Sequence, residues 1–75
     1  MTRLETYKIL SKKVDCHIRI IEYCKTKENK KLAVYYYERI KDQIENYYRF
    51  EKITNDANNY FMNRLIKNIE WFNKK

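Results

Sequence analysis

The chain has 75 residues, neither glycine nor proline, and a net charge of +7 from 17 Lys and Arg against 10 Asp and Glu. A domain of that size buries only roughly 60 % of its unfolded surface, so it needs close helix packing, a staple or a partner subunit. Charges interrupt every apolar run, so no stretch reads as a signal peptide or a membrane span, and the missing glycine and proline disfavour the tight turns of strand-rich folds.

The expected class is all-α. Cys16 and Cys24 are the two cysteines and share one helix. Their separation, about 12 Å along the axis, is too long for them to bridge. The thiols read as reduced and the protein as cytoplasmic. Lys, Asn, Ile and Tyr make up about half the chain. A/T-rich codons produce that bias unaided, and it suits a small protein encoded by a phage or another mobile element.

Thr2-Arg3-Leu4-Glu5 fits a capping box and opens a first helix over residues 3–25. Its apolar seam is Leu4, Tyr7, Val14, Ile18 and Ile21, flanked by Leu10, His17 and Cys24, a stripe broad enough for a bundle. Lys8, Lys12, Asp15, Arg19 and Glu22 form the solvated face, with Asp15 and Arg19 at i,i+4 ion-pair spacing. Ile9, Cys16, Ile20 and Tyr23 fall outside the seam and imply a further neighbour, either a third helix or another subunit.

The polar run from Lys25 to Lys31 reads as the first connection, residues 26–30. The second helix, 31–53, puts Ala33, Tyr37, Ile40, Ile44 and Tyr47 on its core seam. Its outer face is charge-balanced, and Tyr35 is the tyrosine of this helix turned to solvent. Thr54–Asn59 reads as the second break, with Asn55 or Asp56 as the N-cap. The third helix, 56–73, carries Met62, Leu65, Ile69 and Phe72, with Phe61 and Ile66 beside them and Arg64, Asn68 and Trp71 outside the stripe. Short connections make this an antiparallel three-helix bundle in a single domain, residues 1–75. The alternative, should the second break not form, is a helical hairpin with one long arm completed by dimerisation.

No catalytic constellation stands out. His17 has Lys13 and Ile21 as its i±4 neighbours, and Cys24 lies roughly 10 Å along the helix from it, so no metal-chelating spacing arises. No Gly-rich phosphate loop is present. Glu38, Asp42 and Glu45 share their surface with Arg39, Lys41 and Arg49, a mixed-charge face that reads as solvated. The near-neutral central helix is a poor major-groove reader. The expectation is a protein that is not an enzyme and carries no cofactor.

Two binding surfaces remain. Ile9, Ile20, Tyr23, Tyr35 and Trp71 lie off the core seams and are the residues expected to anchor a larger protein partner or a second copy of the chain. An inhibitor, adaptor or regulator acts through such a surface. The alternative partner is a nucleic acid or nucleotide. An up-down-up bundle would bring Lys25, Lys27, Lys30 and Lys31 to the same pole as Lys74 and Lys75, with Tyr35 and Tyr36 close by, which suits charge plus stacking. The basic residues do not edge one apolar face, so no membrane-surface role is expected.

Overall fold

A computed structural model describes the backbone of residues 2–73 and, except for Ile69, Phe72 and Asn73, their side chains. Three helices follow one another: α1 Arg3–Thr26, α2 Lys30–Arg49 and α3 Asn55–Asn73. The described residues include no strand. The rings of Tyr7 and Phe61 stack 5.2 Å apart near the starts of α1 and α3. Near their ends, Lys25 Nζ donates to Asn68 Oδ1 at 3.1 Å. These contacts make α1 and α3 parallel. Lys13 lies over the Tyr47 ring and His17 meets Tyr36 edge-on, so α2 runs back between them. The architecture is the antiparallel three-helix bundle, and the long-armed hairpin is overturned.

The helices stop without glycine. Asn29 N–H bonds to Cys24 C=O and Glu28 N–H to Lys25 C=O, a Schellman closure with Glu28 left-handed at φ 54°. The end of α2 repeats it: Lys52 N–H bonds to Tyr47 C=O, Glu51 N–H to Tyr48 C=O, and Glu51 sits at φ 57°. The starts are capped by side chains. Thr2 Oγ1 accepts from Glu5 N–H, Asn29 Oδ1 from Leu32 N–H, and Thr54 Oγ1 from Ala57 N–H.

The second break differs from the expected Thr54–Asn59. α2 ends at Arg49 rather than 53, Thr54 is the N-cap rather than Asn55 or Asp56, and Asn55–Asn59 are helical. The physical reason lies just upstream. Glu51 turns the chain, and Ile53 drops into the core at 3 % exposure, which fixes where α3 must start. The first connection is Lys27–Asn29, shorter than residues 26–30.

Leu10, Val14, Ile18, Ile40, Ile44, Ile53, Phe61 and Leu65 form the main core, with Tyr7, Tyr37, Tyr47 and Met62 packed on it. Ile21, Cys24 and Ala33 form a smaller one towards the first connection. The seam of α2 is the expected one. Those of α1 and α3 are rotated. Leu4 is 63 % exposed while the flanking Leu10 and Cys24 are buried, because α1 must face α2 as well as α3. In α3 the buried line is Phe61, Leu65 and Asn68, and Ile66 is exposed. Tyr48 and Phe50, at the end of α2, are exposed. The side chains of Ile69 and Phe72 fall outside the described residues.

Candidate functional site

Of the residues expected at a basic pole, the structure brings Lys31 and Tyr35 together and engages Lys25 elsewhere. Lys25 is half-buried and its ammonium is spent on Asn68, whose Nδ2 in turn donates to Arg64 C=O. Lys74 and Lys75 lie outside the described residues. Lys27 and Lys30 are exposed at the first connection, and Lys27 Nζ stands 5.8 Å over the Tyr23 ring. Lys31 and Tyr35 do come together. With Asn29 and Leu32 they line a shallow concavity of about 410 Å³ at the start of α2. Tyr36 is half-buried and bridges His17 on α1 and Tyr35 on α2, edge-on to both. Tyr35 Oη accepts from Arg39 at 3.3 Å.

The expected protein-interface residues divide. Ile9, Tyr23 and Tyr35 are exposed, the last two at 62 % and 53 %. Ile20 and Trp71 are half-buried against Ile21, Cys24 and Ala33. The second apolar flank of α1 thus has two uses. Its Ile20 edge closes the smaller core with α2, and its outer line stays uncovered.

That outer line is Ile9, Cys16 and Tyr23, three exposed residues at seven-residue spacing along one face of α1. Lys8, Lys12, Lys13 and Arg19 stand exposed around it, and Lys27 closes it at the helix end. The acids Asp15 and Glu22 turn away towards α3. Asp15 Oδ1 meets Arg64 Nη2 at 2.7 Å, and Glu22 lines a crevice with Ile18, Arg64, Lys67 and Asn68. Asp15 thus pairs across helices, not with Arg19 along its own. The tertiary fold sorts the charge of α1, and spacing within α1 gives no sign of it; only the basic character of Arg64 and Lys67 hinted at the sorting.

His17 Nδ1 lies 2.7 Å from Lys13 C=O, a contact that requires the proton on Nδ1. It is the half-buried flank histidine that its spacing implied. Among the described residues, no group of three or more His, Cys, Asp or Glu side chains is placed to hold a metal ion, and no helix is long and apolar enough to cross a membrane. What this face offers is apolar area bordered by positive charge. Comparison of the chain with protein-family models, curated proteins and solved structures gives no significant match.

Proposed function

We propose that this is a non-enzymatic binding protein that docks on a larger protein through the outward face of α1 and the neighbouring start of α2. Its cellular role on this reading is that of a small cytoplasmic inhibitor, adaptor or regulator, of the kind a phage or mobile element carries. One observation carries the reading. The line Ile9–Cys16–Tyr23 stays uncovered although the helix it lies on is buried on its other side by two neighbours. Leu32 and Tyr35 on α2 are exposed as well. Exposed apolar groups rimmed by cations are the composition of a docking surface, and tyrosine is a frequent anchor.

A second reading, nucleotide or nucleic-acid binding, draws on the concavity between Lys31 and Tyr35. It is the weaker one because Lys25 is engaged by Asn68.

The test is site-specific photo-crosslinking in the cells that make the protein, with a benzophenone amino acid at Tyr23. The same group at Tyr60, exposed on α3, is the control. A discrete protein adduct at position 23 and none at 60 is expected. No protein adduct at 23, or the same adduct at both, overturns the reading.

A further inference from the structure

We infer that the partner seated on the α1 face presents an apolar ridge bordered by carboxylates: an acidic protein surface, rather than a nucleic acid or a second copy of this chain. The inference rests on the reading of that face as a docking surface and adds the chemistry of what it receives.

The sorting of charge around α1 carries it. Asp15 pairs with Arg64 of α3, and Glu22 lines a crevice with Arg64 and Lys67. Exposed along this side and at the end of α1 are five bases, Lys8, Lys12, Lys13, Arg19 and Lys27, against the acids Glu5 and Glu28, with Glu22 exposed at the α3 edge. Two copies meeting through this face would each bring an excess of positive charge to the contact. Like-charge juxtaposition is a device for rejecting a partner, so a second copy is the wrong occupant.

A nucleic acid answers the charge but not the shape. Sequence-tolerant strand binding needs open aromatic faces on which bases stack. Here Lys27 stands over the Tyr23 ring at 5.8 Å, and Tyr35 is held edge-on to Tyr36 at 5.2 Å. The rest of the line, Ile9 and Cys16, offers no π-face. A carboxylate-rimmed ridge answers both features. Its apolar crest covers Ile9 and Tyr23, and the lysine stems lie along it with their ammonium groups reaching the acids.

The test uses the full-length protein and three fluorescent probes. The first is a helical peptide with leucines along one face and glutamates along the other. The second is its twin with lysines for glutamates, and the third is oligo(dT). Anisotropy titrations at low salt are expected to show the glutamate peptide bound about tenfold or more tighter than its twin, with an affinity that falls as salt rises. The paired change Ile9→Ser/Tyr23→Ser should weaken it by about tenfold or more, and Lys12→Glu/Arg19→Glu should reverse the preference between the peptides. All four positions are exposed, and circular dichroism confirms that each variant keeps its helices.

A glutamate peptide bound no better than its twin overturns the inference. So does oligo(dT) binding more tightly than the peptide and unaffected by Ile9→Ser/Tyr23→Ser, or a dimer in sedimentation equilibrium that this double change dissolves. A protein adduct at position 23 whose contact surface is not acidic overturns the inference while the docking reading stands. Absence of any adduct there removes the docking reading itself.

Discussion

Asp15 closes on Arg64 across the α1–α3 boundary at 2.7 Å, although Arg19 stands one helical turn away on its own helix. Arg64 also lies with its guanidinium 5.7 Å from the centre of the Tyr60 ring, so its fork is held by a carboxylate on one side and an aromatic on the other. The pair is partly exposed, 29 % and 46 %, and its worth is scaled down accordingly. A double-mutant cycle of Asp15→Ala and Arg64→Ala should give a coupling of about 0.5 kcal/mol in urea denaturation, shrinking at high salt. A coupling that does not respond to salt would contradict a solvent-screened pair.

Asn68 is a polar side chain in an otherwise apolar line, 9 % exposed, with Lys25 donating to its oxygen and its own amide donating to Arg64 C=O. Both of its polar ends are used. Asn68→Ala removes the acceptor from a half-buried ammonium and should cost about 1–2 kcal/mol. Asn68→Leu supplies apolar volume next to Leu65 and should cost less than Asn68→Ala. Equal losses for the two variants would mean that the lost hydrogen bonds, not the apolar volume, set the cost.

Glu28 and Glu51 hold left-handed backbone conformations that a Cβ disfavours, at φ 54° and 57°. Each is the residue of a Schellman closure where glycine is the usual occupant. Glu28→Gly and Glu51→Gly should each raise stability by about 0.5–1 kcal/mol, the relief of strain exceeding the extra freedom glycine adds to the unfolded chain. The two sites cap different helices, so their effects should add. Denaturation midpoints that fall in either variant would refute the assignment.

Ile53 and Ile66 offer a matched comparison. Ile53 lies in the connection between α2 and α3 yet is 3 % exposed, whereas Ile66 sits inside α3 and is 49 % exposed. Ile53→Ala should cost about 2–4 kcal/mol, and Ile66→Ala no more than about 0.5 kcal/mol. The expected order is the reverse of the one a helix-interior rule gives. Thr54→Ala, which removes the cap on Ala57 N–H, should cost about 1 kcal/mol.

Helix number, direction and the α2 seam were legible because Ala33, Ile40 and Ile44 repeat at helical spacing opposite a charged face. The capping box at Thr2 was legible because the motif is local. Three features were not. The second break was misplaced because Asn55–Asn59 look like a loop by propensity, while the deciding residue was a single buried isoleucine, Ile53. The core line of α1 was rotated because a broad stripe does not say which of its edges meets which neighbour. At the candidate face, exposure of Ile9, Tyr23 and Tyr35 followed from their position off the seam. Ile20 and Trp71 have equally off-seam positions but close the smaller core, because a helix with two neighbours buries more than one stripe. Lys25 was counted with the exposed bases because its acceptor, Asn68, is 43 residues away.

Nine large hydrophobic side chains of the described residues are exposed, yet the segments that carry them are helices and short turns. Ordered aggregation by cross-β stacking needs an extended edge with unpaired backbone groups, and the folded chain presents none among its described residues. A helix must first unwind before these side chains can join such a stack. The aggregation-prone species of this protein is accordingly a partly melted one. A core change that lowers helix stability should promote precipitation more than an additional apolar residue on the surface would.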